Sequence, residues 1–190
     1  MLIGKLVPFT LNICIKGSKP MKHVYDDGGR LQAAFKGDTG DCVTRSVAIA
    51  TQQPYKQVYD TFNSHAQSER ITKRRKTRSN ARTGVDTGRK WFKDYMASIG
   101  WKWTATMLIG QGCKVHLSDG ELPLGRLLVR VSKHYTAVID GVIHDTHDPQ
   151  RDTHMCTPDT GQALREGEWR NVNGVWSIAR RCVYGWWSKA

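Results

Sequence analysis

The stretch HYTAVIDGVIHDTHD at residues 134–148 constrains this chain more than any other. Two runs of strand-like residues flank Asp140-Gly141, the dipeptide that most favours a two-residue hairpin turn. A two-residue turn pairs Ile139 with Val142 and sets Thr136 opposite Asp145. Side chains alternate across a strand, so His134, Thr136 and Asp145 then share one face, with His134 and Asp145 diagonal neighbours about 7–8 Å apart. A three-residue turn would shift the register and present Asp148 to His134 instead.

Upstream the period is helical. CVTRSVAIATQQ, from Cys42, has the pattern of a mostly buried helix. Pro54 interrupts it and suits the start of a second helix, PYKQVYDTFNSHAQSE, with Tyr55, Val58, Tyr59 and Phe62 on one face. A third, RKWFKDYMASIG, places Trp91, Phe92, Tyr95, Met96 and Ile99 at helical spacing, with Gly100 as its C-cap. Strand candidates follow: WKWTATMLI, GRLLVRVS, the two arms of the hairpin, and RRCVYGWW near the chain end. Helices first and an antiparallel sheet afterwards make an α+β pattern, with a helical half packed on a C-terminal sheet. Residues 21–41 are polar and glycine-rich and are expected as loop. Residues 149–180 are less regular, with TPDTGQ as a turn.

A length of 190 residues suits one domain. Seven tryptophans lie from position 91 onward, so the second half is expected to supply most of the packed interior. The first 20 residues read as an opening strand or a leader. Pro8 and Asn12 interrupt their apolar run, which argues against a signal peptide. No run approaches the roughly 18 apolar residues of a membrane span. Five cysteines, an odd number without a short CxxC pair, are expected as free thiols in a reducing cytosol, so the chain is expected to be cytoplasmic.

The net charge of +12 is concentrated. Residues 70–90 hold nine Lys or Arg and one acid, Asp86, a net +8. This segment lacks an apolar period and is expected as an exposed basic loop. Lys73, Arg74, Arg75, Lys76 and Arg78 are its candidate contacts to nucleic acid or to an acidic partner.

Cys42 stands where a glycine-rich loop, GDTGD, meets the start of a long helix. Unpaired amides and the helix dipole favour a thiolate there. His134, at the mouth of a buried strand, is placed to act as a base, and Asp145 to fix its tautomer. Cys113-x2-His116, His144-x2-His147 and His154-x-Cys156 match no standard zinc spacing, and no metal or cofactor is expected.

The order Cys, His, Asp, with the cysteine on an early helix and the others on later adjacent strands, resembles the papain-like superfamily, including bacteriocin-processing peptidases in which an acidic residue commonly precedes the nucleophile, as Asp41 does here. GDCVTRSVAIAT, GRLLVRVSKHYTAVIDGVIHDTHD and RCVYGWW also resemble small uncharacterised phage and bacterial proteins. The likeness spans roughly residues 37–148 and the tail. It implies a papain-like fold and a thiol hydrolase, a peptidase or amidase acting by acyl transfer on a protein or peptide through Cys42, His134 and Asp145, and a host-cytoplasmic location for a phage protein. Papain-like enzymes usually carry a glutamine about six residues before the cysteine; Lys36 stands there. The backbone amide of Cys42, helped by Lys36, Thr39 or Gln32, is the expected oxyanion donor. The alternative is a non-enzymatic phage protein that binds a host factor or nucleic acid through its basic loop.

Overall fold

The computed structural model describes residues 20–150 except 38, 72, 74 and 75, residues 181–190, and the backbone of two strands at 169–172 and 175–178. In chain order the elements are β1 (Lys22–Tyr25), α1 (Cys42–Thr51), α2 (Tyr55–Gln67), α3 (Lys90–Ser98), β2 (Trp101–Ala105), β3 (Arg126–Val131), β4 (His134–Ile139), β5 (Val142–Asp145), β6 (Trp169–Val172), β7 (Val175–Ile178) and β8 (Val183–Lys189). Six strands form one sheet in the order β1-β5-β4-β3-β8-β2, and β6 pairs with β7 separately. The fold is α+β.

The hairpin takes the form its turn dictates. Asp140 and Gly141 both have positive φ, 48° and 78°, as a type I′ turn requires. Ile139 pairs with Val142, Val138 with Ile143 and Ala137 with His144. A second two-residue connection, Ser132-Lys133, joins Val131 to His134, so the histidine is the first residue of its strand.

The sheet is covered on both sides. Leu128, Tyr135, Ala137 and Trp187 pack against Val43, Val47, Ala48, Val58, Phe62, Phe92 and Met96 from the helices. On the other face Leu127, Val129, Val131, Val138, Ile143 and Val183 pack with Met21 and Leu117. A sheet buried on both faces explains the continuous apolar run of β3 and the near-complete burial of α1. Gln52 ends α1 in the left-handed conformation. The Arg126 guanidinium then caps the helix, donating to the carbonyls of Ala50, at 2.8 Å, and Ile49.

Several expectations need correction. Residues 21–41 are not all loop: β1 lies parallel to β5, which makes the sheet mixed rather than antiparallel. KHVY has no apolar alternation, and strand pairing decides its conformation. Of the tryptophans described, Trp101 and Trp187 are buried and Trp91, Trp103 and Trp186 half-buried, and α1 and α2 supply much of the helix-side core. The basic segment is not exposed throughout. Ala81 is buried, with its N–H on Asn63 at 2.9 Å and its carbonyl accepting from Thr44 at 2.7 Å. Buried Glu69 accepts from the Ser79 amide and the Trp91 indole. Residues 79–89 are thus held by polar contacts that leave no periodic trace.

Nor are all the thiols free. Cys113 and Cys182, 69 residues apart, form a disulfide, and Cys42 is free. Such a long-range pair carries no local spacing signal. The expected leader at 1–20, except its last residue, the turn TPDTGQ, and Cys14 and Cys156 lie outside the described residues. Among the described residues, no helix is long and apolar enough to cross a membrane.

Candidate active site

Cys42 is the first residue of α1, whose opening turn closes with the Arg45 amide donating to the Asp41 carbonyl at 3.0 Å. The helix is pinned to β4 one turn further on, where buried Ser46 donates to the Tyr135 carbonyl at 2.9 Å. That bond joins the residue four after the cysteine to the residue one after His134, so it sets the approach of thiol to imidazole. Asp41, directly before Cys42, is buried and pairs with Arg30 at 3.0 Å and Arg45 at 3.4 Å, and it accepts from the Tyr55 hydroxyl at 2.6 Å. Two guanidiniums offset its charge, which would otherwise oppose a thiolate next door.

His134 Nε2 lies 2.7 Å from Asp145 Oδ2, and both side chains are largely buried. Asp145 is only an acceptor when ionised, so Nε2 carries the hydrogen and Nδ1 is left for Cys42. Cys42 and His134 lie close enough that each shifts the other's ionisation. Asp145 Oδ1 accepts from the Thr146 amide at 2.7 Å, which fixes the carboxylate's rotation. The hairpin register therefore brings Asp145 to His134, as the two-residue turn predicts. The rival, Asp148, is exposed and bonded to Gln150.

The electrostatics follow from this chain of contacts. Burial opposes ionisation of Cys42, but the hydrogen bond and charge of His134, the Tyr135 amide and Arg45 outweigh it and lower the thiol below its ordinary 9.0. Burial also works against a charged His134. Asp145 and Cys42 reverse that and push its pKa up to about 9. Asp145 would rise on burial alone; His134, aided by Thr146, holds it below the usual carboxylate range. The Thr136 hydroxyl contributes as well, although its geometry falls short of a formed hydrogen bond. All three shifts run toward a thiolate beside an imidazolium beside a carboxylate.

Comparison of the chain with family models, with curated proteins and with solved structures gave no match. The geometry alone carries the functional argument.

The remaining candidates scatter. Lys36 and Gln32 are exposed, whereas Thr39 holds a buried hydroxyl without a hydrogen-bond partner. Lys73, Lys76 and Arg78 are exposed; Arg74 and Arg75 lie outside the described residues. An open groove of about 630 Å³ lies at the far end of α1, between Gly28, Gln52, Lys56 and Arg126, and none of the three candidate catalytic residues lines it. His147, which the sequence pattern pairs only with His144, lies with its ring centroid 4.8 Å from that of His134. It sits in the bend just after β5, where strand alternation gives no signal. The buried Asp41 network was missed too, because partners at 30, 45 and 55 share no local pattern.

Proposed function

We propose that this chain is a cysteine hydrolase of papain-like architecture, with Cys42 as nucleophile, His134 as acid and base, and Asp145 as the group that holds the imidazole. The supporting observation is the 2.7 Å contact of Asp145 with His134 Nε2, beside a Cys42 thiol whose ionisation His134 favours. The thiolate attacks an acyl carbonyl, and its sulfur–carbon bond forms as the carbonyl oxygen takes up negative charge. His134 then gives its Nδ1 proton to the leaving nitrogen or oxygen, and the acyl group stays on sulfur. Neutral His134 next takes a proton from water, whose oxygen attacks the thioester; collapse restores the thiolate and the imidazolium. The Cys42 backbone amide, at a helix N-terminus, and the unpartnered Thr39 hydroxyl are the donors assigned to the oxyanion. A protein or peptide amide is the proposed substrate class.

The test is labelling of the full chain with a thiol-directed acylating or alkylating probe under non-reducing conditions, followed by peptide mapping. Cys42 should react at least about tenfold faster than Cys14 or Cys156, and Cys42→Ala should remove the fast phase. Equal rates at all three would overturn the hydrolase assignment. They would favour instead a binding protein that uses exposed Lys73, Lys76 and Arg78 against acidic partners or nucleic acid.

A further inference from the structure

His147 has no part in the proposed acyl transfer, yet it completes a set of donors around Asp145. His134, Asp145 and His147 each offer one ligand atom, and these atoms lie within 4.8 Å of one another. His134 Nε2 is 2.7 Å from Asp145 Oδ2, and His147 Nδ1 is 3.8 Å from Asp145 Oδ1. A tetrahedral ion with bonds of about 2.1 Å holds its ligands about 3.4 Å apart, so donor atoms spread over as much as 4.8 Å must draw inward to meet one ion. Small rotations suffice: the His147 side chain is 59% exposed and free to turn, while the other two are nearly buried.

The surroundings suit a metal as well. Thr146 and Asp145 are fixed by the bond between them, and such outer contacts orient a ligating carboxylate. Arg181 donates to the carbonyls of Pro149 at 2.8 Å and Ser132 at 2.6 Å, so it ties the segment after His147 to the turn before His134. The exposed His147 leaves a route for an ion and a coordination position open to solvent. Two imidazoles and one carboxylate select first-row divalent cations over calcium or magnesium.

We propose that His134, Asp145 and His147 bind a first-row divalent cation of the zinc type, on the side of the His134 ring facing away from Cys42. The ion takes the place of the proton that Nε2 shares with Asp145, and that proton leaves to solvent. The ring then keeps one N–H, on Nδ1, and, being no longer an imidazolium, releases that proton less readily. If the hydrolase assignment holds, the bound ion slows it by weakening the acid that protonates the leaving group. The site itself stands on ligand geometry and needs no catalysis.

Binding is best read by titrating zinc chloride into full-length Cys42→Ala protein, which lacks the competing thiol, with heat as the signal. One equivalent should bind. Adding His147→Ala should weaken that affinity at least about tenfold, while circular dichroism and Tm stay those of the parent, because His147 is a surface side chain. Unchanged affinity in the double variant would overturn the proposal, since an ion held elsewhere, for example by His154 and Cys156, would survive the substitution. So would failure of the Cys42→Ala protein to bind zinc. These outcomes are independent of hydrolysis: an inert Cys42 leaves the binding result standing, and an active enzyme indifferent to zinc removes only the metal site.

Discussion

Two regions fasten irregular chain to the central sheet by opposite means. At the corner where α1 meets β4 and β5, the fastening is polar and ionisable: Asp41 with Arg30, Arg45 and Tyr55, Ser46 with Tyr135, and His134 with Asp145. At the start of β8, the segment after β2 is held by the Cys113–Cys182 disulfide and by backbone bonds from Leu117 to Arg181 and from Val183 to Val115. The first region contains groups whose protonation the environment shifts. The second contains a covalent link that does not titrate. If Cys42 acts as proposed, its charges sit in one corner while the start of β8 is braced without them.

Asp145→Asn separates the two regions most sharply. The asparagine keeps the shape but can present its amide nitrogen to Nε2, favouring the wrong tautomer, and it withdraws the main support of the imidazolium. Acyl transfer should fall roughly a thousandfold or more, measured as kcat/KM on an amide or ester substrate. In the wild type the reactive ion pair exists between the lowered Cys42 pKa and the His134 pKa of about 9. Activity should therefore rise as pH passes the first and decline above about 9. In Asp145→Asn the alkaline limb should move to lower pH, because the carboxylate that raises His134 is gone. An unmoved limb would mean that Asp145 does not govern the imidazole.

Removing the disulfide should do the reverse: a large stability change with the chemistry left alone. Cross-linking across 69 residues restricts the unfolded chain by about 4 kcal/mol in the loop-entropy model. For a chain of this size that corresponds to a Tm lower by about 8–16 °C in Cys113→Ser/Cys182→Ser, read by thermal unfolding. The Cys42 alkylation rate at 20 °C should stay within about twofold of wild type. The pH dependence sharpens the contrast. His134, with a folded pKa above its ordinary 6.5, stabilises the fold fully below that value, and the contribution is lost as pH rises through about 9. The Tm difference between oxidised protein and the double serine variant should be nearly constant over the same range.

The sequence disclosed these regions very unequally. The Asp140-Gly141 turn sets a register, and a register carries Asp145 to His134 without further information. The apolar period of α1 and its position after a glycine-rich loop likewise announce Cys42 as a helix tip. What the chain did not disclose are contacts between residues far apart in sequence. β1 is a strand because β5 offers it an edge, and Cys113 meets Cys182 because β8 returns beside the segment after β2. Arg78 and Arg89, counted among a solvated charge run, turn back onto Glu69. His147 was weighed only with His144, to which its three-residue spacing pointed. The partner that matters lies across the hairpin, beyond any one-dimensional period.

A finer cut within the reactive corner comes from two buried hydroxyls on α1. Ser46 ties the helix to Tyr135 beside His134, whereas Thr44 ties it to Ala81 in the basic segment. Each bond contributes about 1 kcal/mol, and each deletion strands a carbonyl. Ser46→Ala and Thr44→Val should therefore lower stability by similar small amounts in denaturant unfolding. Their effects on Cys42 should differ. Only Ser46→Ala frees the helix tip to drift from β4, and the interaction of thiol with imidazole that lowers the Cys42 pKa weakens with their separation. A few-fold slower alkylation is expected for Ser46→Ala and none for Thr44→Val. Equal slowing in both would mean that general loosening of α1, rather than its seam with β4, controls the thiol.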